Sequence, residues 1–149
     1  METGARLRYV ACMDGHVACV RLCLSHGADV NRQDVNGYSP LYAACGRGHN
    51  ADVVRLCLDS GAAVDHASQG GVGSLYLSCF MGHVDTARLL IERGAAINGA
   101  ANNVGWTTPD EAAREGGHAA MAAWLGRVCV VAGRAIFRNR GTRWWFCGN

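Results

Sequence analysis

The stretch SPLYAACGRGHN, residues 39–50, decides the fold of this chain because its parts recur elsewhere in the sequence. It reads as a turn, then a short apolar helix, then a Gly-His break. The same break contains His16, His49, His83 and His118, which are separated by 33, 34 and 35 residues. Self-similarity at a nearly constant period is typical of stacked repeats, in which each unit buries its apolar flank against the next.

The repeated unit resembles the ankyrin repeat, a turn followed by two helices with a Thr-Pro-Leu-His-x-Ala core. In this chain the core reads SPLYAA at residues 39–44. The exit from the second helix reads GADVN at 27–31, GAAVD at 61–65 and GAAIN at 94–98. The resemblance covers about residues 5–126. It implies an all-α repeat solenoid, made of stacked helix-turn-helix repeats with short β-hairpin fingers.

The period divides the chain into a repeat domain, residues 1–126, and a tail, residues 127–149. The repeats are predicted at about 1–33, 34–67, 68–101 and 102–126. A terminal repeat exposes a face that a neighbour would cover, so we expect either a monomer or part of a longer array. No run of ~18 uncharged apolar residues is present and no signal-peptide pattern is visible, so neither a membrane span nor secretion is expected.

The second helices carry a packing pattern of their own. One equivalent position of the second helices is occupied by Leu22, Leu56, Leu89 and Trp124, and we expect these side chains to pack within the stack. We expect the apolar residues next to Leu22 to pack there as well. The Arg residue that precedes each of the three Leu residues is expected to face solvent. A Gly residue ends each of these helices, where a left-handed backbone conformation favours glycine.

The tail differs from the repeats in charge. All fourteen basic residues are Arg; residues 1–115 have a net charge of −3, from nine Arg and twelve acidic residues, and residues 116–149 have +5. Arg residues at 138, 140 and 143 precede the aromatic run WWF at 144–146. Such a segment can contact nucleic-acid phosphates and stack on bases, or meet an anionic membrane. The sequence favours the alternative in which the aromatic rings cover the last repeat as a cap; a disordered tail also remains open.

Five of the eight cysteines follow the repeat. Cys12, Cys45 and Cys79 lie 33 and 34 residues apart in the first helices, and Cys23 and Cys57 lie 34 apart in the second helices. Equivalent positions in stacked repeats are on the order of 10 Å apart, which exceeds the ~7 Å between Cα atoms that a disulfide allows. We therefore expect reduced core thiols and an intracellular protein, with the cytoplasm favoured and the nucleus also open.

Metal binding and catalysis are both weaker interpretations of these residues. Cys12, His16, Cys19 and Cys23 have helical spacing that suits a metal. However, the Gly-His break interrupts the helix, so we expect the repeated His to bond backbone at the turn and order the second helix. No Cys or Ser stands apart from the repeat beside a base and an orienting group. The Gly-rich segment 70–73 lacks the Lys and Ser/Thr of a phosphate-binding loop. The sequence predicts no catalytic residue, no metal, no cofactor and no small-molecule substrate.

The concave surface is where the resemblance places function. In the ankyrin-repeat family, the inner face of the first helices and the finger tips bind partner proteins. The resemblance thus implies a non-catalytic scaffold or adaptor whose protein partner the sequence does not identify. The corresponding positions, called here the concave set, are Met13, Asp14, Val35, Asn36, Tyr38, Arg47, Gln69, Val72, Phe80, Met81, Asn103, Val104, Trp106 and Glu115.

Four members of the concave set are large and apolar: Tyr38, Phe80, Met81 and Trp106. Large apolar side chains at exposed positions are typical of interface hot spots. We expect these four to anchor a partner. The alternative is that Phe80 or Met81 packs sideways into the third repeat.

Overall fold

A computed structural model describes residues 11–12, 14–48, 51–97, 108–131, 136–138 and 144–146. The helices are α1 (Val17–Ser25), α2 (Pro40–Arg47), α3 (Ala51–Asp59), α4 (Ser74–Phe80), α5 (Val84–Glu92), α6 (Pro109–Glu115) and α7 (Ala119–Val131). Ala11 and Cys12 are also helical. Two short strands, β1 (Ile136–Arg138) and β2 (Trp144–Phe146), pair antiparallel, with Phe137 opposite Trp145.

The helices form two stacked rows. The first helices α2, α4 and α6 pack on one another in chain order, and the second helices α1, α3 and α5 form a parallel row. Within each repeat the two helices also pack together, as α2 with α3, α4 with α5, and α6 with α7. The all-α repeat solenoid predicted from the sequence is confirmed.

The starts of the first helices explain the turn motif. The hydroxyl oxygens of Ser39 and Thr108 each accept the backbone N–H three residues on, at 3.2 and 3.4 Å. A proline follows each of these caps and occupies the first helical turn, where its missing N–H costs nothing. In the third repeat Gly73 takes the cap position and supplies no side-chain hydrogen bond.

The core lies between the two rows and is made of small and branched side chains. Cys12 is 2 % exposed and Cys45, Cys57 and Cys79 are fully buried, as their register predicts. Leu22 does not follow its prediction: it is 61 % exposed, and Val20 is the buried residue of α1. Among the described helices, α1 packs mainly on α3, and the part of α1 that carries Leu22 is open to solvent.

The fingers between repeats are compact turns. The Asp34 N–H donates to the Tyr38 carbonyl at 3.0 Å, and the Ser68 N–H donates to the Val72 carbonyl at 3.0 Å. Strand pairing in the described part of the fingers is limited to one isolated bridge, between Ala67 and Gly73. The first two fingers are therefore turns rather than extended two-stranded ladders.

Side chains from each exit segment hold the next repeat. The Asn31 side chain accepts the Ala63 N–H through Oδ1 at 2.8 Å and donates through Nδ2 to the Gly61 carbonyl at 3.1 Å. One repeat later, Asp65 Oδ1 accepts the Ala96 N–H at 2.8 Å. Because Asn31 and Asp65 are equivalent positions, this bond is part of the repeat itself.

The last helix passes the predicted end of the repeats. Helix α7 runs without interruption through Gly126 to Val131, whereas the repeat pattern of the sequence stops near residue 126. The tail thus begins as a continuation of the second helix, and the domain limits stay a prediction. None of the helices in the described segments is long and apolar enough to cross a membrane.

Candidate partner-binding surface

One row of the concave set follows the ends of the first helices. Asp14, Arg47, Met81 and Glu115 lie 33, 34 and 34 residues apart, and the structure leaves all four exposed. Met81, the apolar member, is 44 % exposed. These four positions therefore carry an acidic, a basic, a thioether and an acidic side chain in consecutive repeats. None of the four side chains is buried by the stacking of the repeats.

A second part of the concave set lies on the finger tips. Val35 is 86 % exposed, although its β-branched side chain is apolar. Its carbonyl accepts the Gln69 side-chain amide at 2.9 Å, and the Asn36 carbonyl accepts the Gln69 N–H at 3.2 Å. Gln69 is the equivalent of Val35 in the next finger, so the two tips are tied together. Val72, in the second of these fingers, is half-buried.

Tyr38 joins a finger to an inner helix. Its ring stacks on that of Tyr42 in α2, with centroids 4.7 Å apart and planes 4° from parallel. Its N–H donates to Asp34 Oδ1 at 2.8 Å, and the residue is half-buried. Sequence reasoning missed Tyr42 as a part of this surface. The available signal was that Tyr42 replaces the His of the family core four residues after Tyr38.

Phe80 and Met81 have different surroundings. Phe80 is half-buried and packs against the hydrophobic core, so sideways packing describes Phe80 better than Met81. The backbone of Gly116 in the next repeat passes so close that a Cβ there would overlap the Phe80 carbonyl. Met81 and Val35 are therefore the freer apolar side chains of the described concave set.

Four members of the concave set, Met13, Asn103, Val104 and Trp106, lie outside the described residues and stay predictions. The polyanion contact of the tail also stays a prediction, because Arg140 and Arg143 lie outside the described residues and the structure describes only the backbone of Arg138. Two exposed apolar residues were not selected from the sequence: Leu22, at 61 %, and Val84, at 37 %, both on second helices. The sequence signal for Leu22 was its place in the first repeat of the pattern.

The repeated His residues act between repeats. The His83 Nε2 lies 3.4 Å from the Gly46 carbonyl, and the ring fills the space that a Cβ on Gly48 would need. The His118 ring lies in the same way against Gly82. The repeated His was expected to bond backbone at the turn; His83 does meet a backbone carbonyl, and that carbonyl belongs to the preceding repeat. Among the described residues, no group of three His, Cys, Asp or Glu could hold a metal.

The core thiols are held in the neutral form. Burial raises the pKa of Cys45 to about 12, and the neighbouring Ser78 and Ser74 hydroxyls oppose the shift by a smaller amount. Burial also raises the pKa of Cys79 to about 12, with a smaller contribution from the Asp110 carboxylate. Because the thiolate is the reactive form, these cysteines are poor nucleophiles.

Comparison with known proteins agrees with this architecture. A sequence profile described as "Ankyrin repeats (many copies)" matches residues 9–56, and one described as "Ankyrin repeat" matches residues 74–103. Together they cover about half of the chain. The protein belongs to the ankyrin-repeat family, whose repeats are protein-interaction modules.

Two curated relatives are similar over a shorter stretch. They are "Protein phosphatase 1 regulatory subunit 27" of Mus musculus and of Homo sapiens, each 34 % identical over 47 residues. The match spans 32 % of this chain and 30 % of each relative. Since 47 residues are fewer than two repeat periods, the similarity concerns part of the repeat array and not the whole of either protein.

Proposed function

We propose that this protein is a non-catalytic adaptor that binds a partner protein through its concave face and finger tips. The observation that carries the proposal is the exposure of Val35, at 86 %, and Met81, at 44 %, beside first helices that bury Leu41 and Leu75. Burying an exposed apolar side chain in an interface is favourable by ~25 cal/mol per Å². These two residues are the anchors, and Arg47 and Glu115 supply charges for specificity.

Rigidity of the frame supports binding by this surface. The tips are tied through Gln69, the Tyr38 ring is stacked on Tyr42, and the Asn31 side chain joins consecutive exits. A partner that binds such a surface has few groups to order, so a larger share of the contact energy appears as affinity.

The test compares proteins captured from cells by the wild-type chain and by the double variant Val35→Asp, Met81→Asp. We expect the double variant to lose the specific partners, because a carboxylate buried in an apolar interface is left unpaired. The matched control is Leu22→Asp, which puts the same charge at an exposed leucine outside the concave set. Loss of partners from Leu22→Asp alone, with the double variant unaffected, would contradict the proposal.

The name of the two relatives supplies a first candidate partner, protein phosphatase 1. Titration of purified protein phosphatase 1 with the wild-type chain and both variants tests it. A non-catalytic role and an intracellular location are parts of the same proposal.

A further inference from the structure

One buried position changes residue type along the stack. The seventh residue of α3, α5 and α7 is Cys57, Leu90 and Leu125, and all three are fully buried. The first helix of the preceding repeat has Cys12 45 residues before Cys57 and Cys45 45 residues before Leu90. The first junction therefore places a thiol where the later junctions have a leucine.

Two thiols meet at this first junction. The Cys12 thiol lies close enough to the Cys57 thiol for Cys57 to raise its pKa. Both residues line a cavity of about 10 Å³, together with Cys23 and Val20. A cysteine lacks the branched carbons of leucine, so its presence at position 57 leaves space beside the thiols. That space allows the side chains to turn toward each other.

We propose that Cys12 and Cys57 are a redox-sensitive pair that forms a disulfide between the first and second repeats when a hydroperoxide is present. One thiol, as its thiolate, attacks the peroxide oxygen and becomes a sulfenic acid, and the peroxide leaves as an alcohol or water. The second sulfur attacks the sulfenic sulfur, the S–S bond forms, and the hydroxyl leaves with a proton as water. Two thiols are oxidised and one peroxide is reduced.

The reaction is gated by opening of the first repeat. Cys12 is 2 % exposed and Cys57 is fully buried, so a peroxide reaches them only when α1 and the preceding helical residues move. The neighbouring Cys57 thiol, followed by burial, raises the pKa of Cys12, which keeps the closed state unreactive. Helix α1 packs in its row on α3 and carries the exposed Leu22, so its opening breaks few buried contacts. Once formed, the disulfide closes a loop that includes α1, so it keeps the first repeat in place.

The experiment treats the full chain with hydrogen peroxide, blocks the remaining thiols with N-ethylmaleimide after denaturation, and maps tryptic peptides by tandem mass spectrometry. We use a Cys19→Ser background, because Cys19 is exposed and shares the tryptic peptide 9–21 with Cys12. The expected product joins peptide 9–21 to peptide 56–88, weighs two hydrogens less than the sum, and fragments at Cys57 rather than Cys79. Free thiols at Cys12 and Cys57 after complete oxidation of Cys23 would overturn the proposal.

Three variants keep the result independent of a folding defect. Cys45→Ala changes the equivalent first-helix thiol of the second repeat and should leave the cross-link intact, whereas Cys57→Ala should abolish it. Leu90→Cys recreates the thiol pair opposite Cys45 and should gain a second cross-link, between peptides 33–47 and 89–93. Oxidised wild type should also melt several degrees higher than reduced wild type, with no such shift in Cys57→Ala. An unchanged melting temperature after full cross-linking would refute the proposal that the disulfide holds the first repeat in place.

Discussion

The imidazole of His83 occupies the space in which a side chain on Gly48 would have to lie, although the two residues belong to consecutive repeats. Gly48 also has a φ of +66°, a left-handed conformation that costs a non-glycine residue roughly 1–2 kcal/mol. The Gly-His pair is thus a contact between repeats: the glycine of one makes room for the histidine of the next.

Gly48→Ala should lower the free energy of unfolding by about 2–4 kcal/mol, the sum of backbone strain and displacement of the His83 ring. The matched control is Gly94→Ala, because Gly94 has a φ of +90° but no atom within 4 Å of the place that an alanine methyl group would take; it should cost only the roughly 1–2 kcal/mol of strain. Urea denaturation measures both. Equal losses in the two variants would show that the His83 contact adds nothing.

Asn31→Ala should lower stability by about 1 kcal/mol, because it removes the bonds to the Ala63 N–H and the Gly61 carbonyl. Asn31→Asp keeps the acceptor for Ala63, as Asp65 does for Ala96, and loses only the donor. We therefore expect Asn31→Asp to be the more stable of the two variants in urea denaturation. The reverse order would mean that the Gly61 bond is the important one.

Stability should fall at alkaline pH. The folded-state pKa of Cys45 and Cys79 is raised from the ordinary 9.0 to about 12, so above pH 9 the unfolded chain loses thiol protons that the folded chain keeps. The contribution is fully present below pH 9 and declines between pH 9 and 12, by up to about 1.4 kcal/mol per pH unit and thiol. Urea denaturation under reducing conditions from pH 7.5 to 10.5 measures the slope. Cys45→Ala, Cys79→Ala should give a flatter profile, and an unchanged slope would assign the decline to other groups.

The sequence was sufficient to predict the solenoid, because the repeat spacing fixes which residues face the neighbouring unit. It predicted buried Cys45 and Cys79 and exposed Arg21 and Arg55 correctly. It could not show the contact between Cys12 and Cys57. These are not equivalent positions, and the spacing argument compared only equivalent cysteines.

The candidate surface was harder to predict than the frame. The repeat register identifies which positions lie on the inner face. The exposed fraction of a side chain at such a position also depends on the direction in which that side chain points. Phe80 packs toward the core while its neighbour Met81 is exposed. The stacking of Tyr38 on Tyr42 depends on the turn of the finger, a geometry that the repeat pattern does not specify.

The effect of stacking on burial is seen when equivalent leucines of two repeats are compared. Leu22 is 61 % exposed, whereas the equivalent Leu89 is 7 % exposed, because α5 is packed on α3 and the corresponding face of α1 is open among the described residues. Leu89→Ala should therefore cost about 2–3 kcal/mol through lost burial and a cavity, while Leu22→Ala should change stability by roughly 0.5 kcal/mol or less. Urea denaturation of both variants measures the difference. A large loss from Leu22→Ala would mean that the exposed face of α1 is covered in solution, which the oligomeric state measured by sedimentation would then reveal.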